Sequence, residues 1–223
     1  GKTGTFSIST LQLVDPSQDY TQAIILAPTH ELAYQIHKVI TQIGSFMDNL
    51  QVKTLIGGTS VQEDIKQIEK KTPHIIVGTI GRTLDMIKKR IIFLDRLSLF
   101  VLDEADELLS GTFKENIQTI VQQISNKSKI AIFSATLPHS VLNLTDKFMN
   151  DPYKIIVKKE ELSLECISQY FIALENDNHK YATLKELFEF LTITQCIVFV
   201  NGVNRVGELY DALVKEGFTV CCM

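Results

Sequence analysis

Two adjacent carboxylates, Asp103 and Glu104, directly follow the apolar run Leu99–Leu102. An acidic pair at the end of a buried strand suits a nucleotide-bound Mg²⁺ ion, which prefers one or two carboxylates together with water and phosphate oxygens. Asp103 would hold the metal, and Glu104 would orient the attacking water and accept its proton. The alternative is helix chemistry, because acidic residues are favoured in a first turn. An unpartnered carboxylate after a buried strand is costly, which favours the metal site.

The first three residues match the end of a phosphate-binding loop. Gly1, Lys2 and Thr3 fit the last positions of G-x-x-x-x-G-K-[ST], in which the lysine reaches the β- and γ-phosphates and the hydroxyl binds Mg²⁺. Together with Asp103 and Glu104 they predict a nucleotide site in which Thr3 and Asp103 are the metal ligands. Gly-Lys-Thr is a common tripeptide, however, and a frayed terminus is the alternative.

A third polar group, Ser134-Ala135-Thr136, ends the strand that follows the acidic one. Its position predicts that Ser134 and Thr136 form a hydrogen-bonding bridge between the nucleotide site and a second domain. The alternative is a helix N-cap in front of Leu137.

Two further segments, Pro28–Ala33 and Thr79–Arg82, each join the end of a strand to the start of a helix. Free N–H groups at helix N-termini bind phosphates, and Arg82 could add a bidentate contact. Gly57 and Gly58 would let a backbone pass close to a nucleic-acid strand. For each of these segments the alternative is ordinary capping and turn chemistry.

The elements that position these residues follow from periodicity. Short, continuously apolar runs alternate with segments of helical period, which predicts a parallel sheet covered by helices on both faces. In such sheets ligands bind beyond the carboxyl ends of the strands, where all of these motifs lie. The predicted strands are Ala23–Ala27, Val52–Ile56, His74–Gly78, Leu99–Leu102 and Ile130–Phe133.

The alternation stops at Asn150–Pro152 and then restarts, which predicts two domains. Residues 1–152 would form the first domain, 153–168 a charged linker, and 169–223 the start of a second domain of the same class. Strands are predicted there at 170–174, 196–200 and 218–223.

Bulk composition excludes some classes of protein. The chain has 223 residues, of which 45% are hydrophobic and 22% charged, as in ordinary globular proteins. A net charge of −4 argues against a strongly basic nucleic-acid binder but permits phosphate contacts through backbone N–H groups. No apolar run reaches the roughly 18 residues of a membrane span. His30 and His37 lack a suitable third ligand, so a metal hydrolase is rejected.

In their order along the chain, these motifs resemble those of the DEAD-box ATP-dependent RNA helicases, and Val198–Asn201 is similar to the first motif of the helicases' second domain. Stretches 157–162 and 191–195 resemble the members that act in translation initiation. The resemblance implies an α/β fold: a RecA-like parallel-sheet domain, truncated at its start, followed by a truncated second RecA-like domain. The two domains would close on ATP, Mg²⁺ and single-stranded RNA.

The resemblance also implies a role for each matching residue. Gly1, Lys2, Thr3, Asp103 and Glu104 would bind ATP and Mg²⁺, with Asp103 and Glu104 catalytic. Asp106 would couple hydrolysis to domain closure together with Ser134 and Thr136. The RNA backbone would be bound by Pro28, Thr29, Glu31, Gly57, Gly58, Thr79, Gly81 and Arg82.

The cellular role that the resemblance implies is that of a monomeric helicase, which unwinds mRNA in translation initiation. It would be cytoplasmic, with a nuclear location left open, and its partner would be a HEAT-repeat scaffold. Alternatives are a sister protein of mRNA decay or export that acts as an ATP-gated RNA clamp, and a DNA translocase on the same fold.

Three positions depart from the family pattern: His30 replaces an arginine, Ile80 a proline and Gly202 a threonine. A neutral histidine lacks the fixed charge and the donor fork of arginine, so RNA affinity is expected to fall. The start of the phosphate loop would precede Gly1, and the arginine motifs would follow Met223. The 223-residue chain alone is therefore expected to release little phosphate from ATP in the presence of RNA.

Overall fold

The computed structural model describes residues 1–110, 113–136, 142, 147–149, 151–156 and 167–223. The chain divides into two compact units, Gly1–Ile155 and Ile156–Met223. Most of the predicted linker 153–168 and all of the stretch 157–162 lie outside the described residues, so the predicted domain boundaries stay predictions.

A five-stranded, fully parallel sheet forms the centre of the first unit, in the spatial order β2-β3-β1-β4-β5. All five strand predictions for this unit are confirmed to within one residue, because continuous apolar runs mark strands that are buried on both faces. The strands are β1 (Ala23–Leu26), β2 (Val52–Leu55), β3 (Ile75–Gly78), β4 (Leu99–Leu102) and β5 (Lys129–Ile132).

Helices cover both faces of this sheet. None of the helices in the described part of the chain is long and apolar enough to cross a membrane. The first unit contains α1 (Lys2–Leu13), α2 (His30–Ile43, followed by the 3₁₀ turn Gly44–Phe46), α3 (Val61–Lys70), α4 (Ile80–Lys88), α5 (Ala105–Leu108) and α6 (Phe113–Val121).

Alternate strand residues point to opposite faces and build two hydrophobic cores. On one face, side chains such as Ile24 and Phe100 pack against α3, α4, α5 and α6. On the other face, side chains such as Ile25 and Val101 pack against α1 and α2. The sheet is therefore buried between two helical layers and holds the strand ends rigidly.

The register aligns the carboxyl ends of the central strands. Leu26 of β1 lies opposite both Gly78 of β3 and Leu102 of β4. Backbone hydrogen bonds between the strands continue just beyond their carboxyl ends, where the Asp103 N–H donates to the Leu26 carbonyl at 2.9 Å. The segments that follow β1, β3 and β4 therefore leave the sheet at one edge, as expected for a ligand site in a parallel sheet.

Gly78, the last residue of β3, has no room for a side chain. A Cβ there would clash with the backbone carbonyl of Leu55 and would lie 2.6 Å from Thr83 Oγ1. We expect Gly78→Ala to lower the free energy of unfolding by about 1–3 kcal/mol, since the β2–β3 pairing must shift to admit a methyl group. Urea unfolding followed by far-ultraviolet circular dichroism measures this change.

Gly81 provides the matched control for this substitution. It lies in α4 and a Cβ there would meet no atom within 4 Å, and alanine is the better helix former by up to about 1 kcal/mol. Gly81→Ala is therefore expected to leave stability unchanged or to raise it slightly. Equal losses for the two variants would contradict the steric explanation.

The second unit contains two helices among its described residues, α7 (His179–Phe190) and α8 (Val203–Lys215). Tyr181 donates a hydrogen bond to the Ala212 carbonyl at 3.2 Å, so the two helices pack together. The three strand predictions for this unit, at 170–174, 196–200 and 218–223, are wrong, because these segments form no sheet hydrogen bonds in the described chain. An apolar run becomes a strand only when a neighbouring strand supplies its bonding partners.

Candidate functional site

The start of the chain and the acidic pair meet at the carboxyl edge of the sheet. Lys2 Nζ lies 3.0 Å from Glu104 Oε1, although the two residues are 102 positions apart. Gly1 is the N-cap of α1, so the free N–H groups of that helix begin beside Glu104. This arrangement brings together a cation, helix N–H groups and a carboxylate, which are the components that bind and hydrolyse a triphosphate.

The Asp103 side chain has the burial and the free oxygen expected of a metal ligand. The residue is 4% exposed, and its Oδ1 atom is buried without a hydrogen-bond partner in the described part of the chain. Burial raises the pKa of the Asp103 carboxyl, and the neighbouring charge of Glu104 raises it further. An oxygen that is both buried and unpartnered is destabilising by itself. The donor set therefore fits Mg²⁺, for which Asp103 would supply one carboxylate.

The raised pKa gives a stability prediction for Asp103→Asn. Above the folded-state pKa the ionised carboxylate destabilises the native state, and this penalty disappears as the pH falls through that pKa. Without nucleotide or Mg²⁺, Asp103→Asn should therefore raise the melting temperature at neutral pH, and the gain should shrink in acid. Differential scanning fluorimetry across pH measures both effects.

Asp106→Asn is the control of opposite sign. Burial alone would raise the pKa of Asp106, but hydrogen bonds from Thr136, Ser134 and the backbone outweigh it and lower the pKa. The ionised form is therefore stabilising at neutral pH, so this variant should lower the melting temperature there. Equal shifts in the two variants would contradict the assigned environments.

Glu104 adopts a left-handed backbone conformation, with φ 48° and ψ 55°, and is the N-cap of α5. This conformation is uncommon outside glycine, and such residues are often found at functional sites. The next residue, Ala105, donates its N–H to the Phe133 carbonyl at 3.0 Å, which ties the turn to the segment after β5. The turn thus directs Glu104 toward Lys2 while α5 begins behind it.

Asp106 is hydrogen-bonded to both polar residues of the Ser134–Thr136 segment. The Thr136 hydroxyl donates to Asp106 Oδ2, and Ser134 Oγ accepts from the Asp106 N–H at 3.4 Å. Ser134 Oγ also donates to the Thr136 carbonyl at 2.6 Å. A displacement of this segment would therefore be transmitted to the acidic turn. The alternative role of Ser134 as a helix N-cap concerns residues 137–141, which lie outside the described residues.

A shallow groove of about 460 Å³ lies beside this site, at the same edge of the sheet. Five residues that were predicted to bind RNA line it, and so do the two departures His30 and Ile80. Phe113 and Asp85 also line the groove and were not predicted from the sequence. The five predicted residues are Pro28, Gly57, Thr79, Gly81 and Arg82.

The other three residues predicted to bind RNA lie next to the lining residues in the chain. The Thr29 hydroxyl accepts the Leu32 N–H at 3.3 Å and so caps α2, as the capping alternative predicted. Glu31 is exposed in the first turn of α2. Gly58 has φ +80°, a conformation that suits glycine, and turns the chain between β2 and α3.

Arg82 lies differently from the sequence prediction. It is 9% exposed, and its guanidinium contacts Asp64 and Thr59 within the domain. The sequence analysis missed Asp64. The available signal was an acidic residue on the apolar face of α3, in register with Val61, Ile65 and Ile68.

Comparison with known proteins assigns the family. The profile of the DEAD/DEAH box helicases matches residues 1–144. Proteins named ATP-dependent RNA helicase eIF4A are 50% identical in Chaetomium globosum and 49% identical in Neurospora crassa, in each case over the whole chain and 56% of the relative. The chain thus spans about half the length of these curated relatives.

Solved structures of two similar proteins agree with this assignment. Dbp5 L327V of S. cerevisiae, bound to RNA and ADP BeF3, superposes with a TM-score of 0.82 at 28% identity, over 98% of this chain and 55% of its own. A DEAD box protein from Methanococcus jannaschii gives a TM-score of 0.67 at 33% identity, over 98% and 57%. This chain therefore belongs to the DEAD/DEAH box helicase family.

Proposed function

We propose that this chain forms the ATP-binding and part of the RNA-binding machinery of an ATP-dependent RNA helicase. The observation that carries the proposal is the 3.0 Å contact between Lys2 and Glu104 beside the unpartnered oxygen of Asp103. The relatives that are about half identical are named ATP-dependent RNA helicases, which supports the same activity here.

In the proposed nucleotide site, Lys2 and the N–H groups that begin α1 bind the triphosphate. The Thr3 hydroxyl and the Asp103 carboxylate hold Mg²⁺, which would neutralise charge on the phosphate oxygens when bound. Lys2 is paired with Glu104 in the structure. Lys2 would exchange this carboxylate for phosphate, which frees Glu104 to orient the attacking water and accept its proton.

The groove is the proposed path of the RNA backbone. Phosphates would approach the first N–H groups of α4 and those N–H groups of α2 that Thr29 does not cap. The turn at Gly57 and Gly58 would let the strand pass close by. These contacts involve phosphate and sugar, so binding would be independent of base sequence. His30 and Ile80 line the groove and would weaken RNA binding relative to the arginine and proline that they replace.

Coupling between the two sites is assigned to the hydrogen bonds that join Asp106 to Ser134 and Thr136. Closure of a second domain on ATP and RNA would move the Ser134–Thr136 segment. Because that segment bonds the acidic turn, its movement would reposition Glu104.

Translation initiation is the proposed cellular role, since the half-identical relatives carry the name eIF4A. The protein would act on mRNA as a cytoplasmic monomer that is stimulated by a HEAT-repeat scaffold. A clamp that only holds RNA would share the same site residues but would not separate strands.

The test uses the protein expressed from its full reading frame. We expect RNA-stimulated release of phosphate from ATP, together with ATP-dependent separation of a short RNA duplex. A single-stranded DNA of the same sequence is the control and should stimulate weakly. Stimulation without strand separation would favour the clamp, and equal stimulation by DNA would favour a translocase. No ATP hydrolysis with either nucleic acid would overturn the proposed function.

A further inference from the structure

Arg82 lines the groove but is only 9% exposed, and its guanidinium is hydrogen-bonded within the domain. Its Nη1 donates to Thr59 Oγ1 at 3.0 Å, and its Nη2 donates to the Thr59 carbonyl at 2.6 Å. Nη1 also forms an ion pair with Asp64 Oδ2. The guanidinium is therefore hydrogen-bonded to both the side chain and the backbone of Thr59. Its positive charge is neutralised by the Asp64 carboxylate.

Asp64 is buried, at 5% exposure, and serves two cations. Its Oδ2 faces Arg82, and its Oδ1 lies 2.9 Å from Lys53 Nζ on β2. The Asp64 N–H donates to the Ser60 carbonyl at 3.2 Å. A buried carboxylate is stable only when it is paired and hydrogen-bonded. Removing Arg82 would leave Asp64 with one cation, so Arg82 is held in this position strongly.

The network connects two walls of the groove. Thr59 directly follows the Gly57–Gly58 turn, and Arg82 belongs to the first turn of α4, which contributes Thr79 and Gly81. Gly58 has φ +80° and no side chain of its own to fix the turn. The three bonds from Arg82 therefore set the distance between the glycine turn and the N-terminus of α4.

We infer that Arg82 and Asp64 are positioning residues for RNA: Arg82 acts through Thr59 to hold the Gly57–Gly58 turn against α4, and it does not bind an RNA phosphate itself. This inference rests on the proposed RNA-binding function of the groove. It replaces the direct phosphate contact expected from the sequence, because the charge of Arg82 is already paired with a buried carboxylate.

Salt dependence separates positioning from phosphate contact. A direct contact with single-stranded RNA contributes about 0.7 to the slope of log Kd against log salt concentration. We expect Arg82→Gln to weaken RNA binding about tenfold, the equivalent of one charge-assisted hydrogen bond, while leaving that slope unchanged. The measurement is fluorescence anisotropy of a labelled single-stranded polyuridylate, with Mg²⁺ and a non-hydrolysable ATP analogue, on the protein from its full reading frame.

Two further variants keep the test decisive. Thr59→Val removes the hydroxyl that accepts from Arg82 and that also lies within hydrogen-bonding distance of the Ile56 carbonyl and Asp64 Oδ2. It should also weaken RNA binding at an unchanged slope. Lys53→Met removes the other cation of Asp64 without touching Thr59. It should lower the melting temperature while the RNA Kd stays at its original value.

Three outcomes would contradict the inference. A slope that becomes shallower by about 0.7 in Arg82→Gln would make Arg82 a phosphate ligand. If Lys53→Met loses as much RNA affinity as Arg82→Gln, then Arg82 and Asp64 only stabilise the fold and do not specifically position the groove. Absence of RNA binding by the unaltered protein would overturn the proposed function and this inference with it, whereas the first two outcomes overturn the inference alone.

Discussion

Replacing Glu104 with Gln is expected to lower RNA-stimulated ATP hydrolysis by a factor of about 10²–10⁴, the usual contribution of a positioned general base. Glutamine preserves the size of the side chain but cannot accept the proton of the attacking water. Lys2, Thr3 and Asp103 remain in place, so the KM for ATP should change little while kcat falls. Phosphate release by the protein from its full reading frame, measured over a range of ATP concentrations, gives both constants.

Glu107→Gln is the control for this experiment. Glu107 lies three residues further on in α5 and is exposed. Its substitution removes the same charge from the same helix without reaching Lys2. The control should hydrolyse ATP at the original rate. If Glu104→Gln also hydrolyses ATP at the original rate, the assignment of Glu104 as the base is wrong.

The largest expected loss of stability comes from Phe100→Ala. Phe100 lies in β4 between β1 and β5, has no exposed surface, and belongs to the core beneath α4 and α6. Truncation removes apolar contacts and leaves a cavity that a parallel sheet between two helical layers cannot close. We expect the free energy of unfolding to fall by about 3–5 kcal/mol, a large part of the roughly 5–15 kcal/mol of a typical domain.

Phe46→Ala tests whether burial causes that loss. Phe46 follows α2 and is 95% exposed, so the same truncation removes almost no packing. Its effect should stay within about 0.5 kcal/mol. Urea unfolding followed by circular dichroism compares the two variants. A loss for Phe46→Ala as large as that for Phe100→Ala would show that truncation of phenylalanine, not its burial, determines the change.

The first unit could be predicted closely because its signals are local. A strand buried on both faces must be apolar at every position, so β1 and β3 are visible as uninterrupted runs. The strand predictions failed in the second unit for the same physical reason. An apolar run such as 196–200 indicates only that the segment can be buried. A strand also needs a hydrogen-bonded neighbouring strand, which the described residues of the second unit do not supply.

The proximity of Lys2 to Glu104 was also predictable. The two residues were assigned to one site from motif identity, and the fold brings Lys2 Nζ to 3.0 Å from Glu104 Oε1. Their role in binding nucleotide stays a prediction. Sequence could make that assignment because each residue follows or precedes a recognisable element at a fixed spacing. Parallel topology then requires the carboxyl ends of the strands to lie at one edge. The direct contact of Lys2 with Glu104 follows only from the three-dimensional structure. The same holds for Asp103 Oδ1, which has no hydrogen-bond partner among the described residues.

Which residue types stand at the ends of which strands follows from the chain alone, since hydrophobic runs and motif spacing are properties of neighbouring residues. The partners of Arg82, in contrast, depend on how the helices pack in three dimensions. Asp64 and Thr59 lie 18 and 23 positions away from Arg82, and they reach it only because α3 and α4 lie on the same face of the sheet. A buried ion pair depends on that packing, because burial removes the water that would otherwise solvate each charge and leaves the partner side chain to replace it.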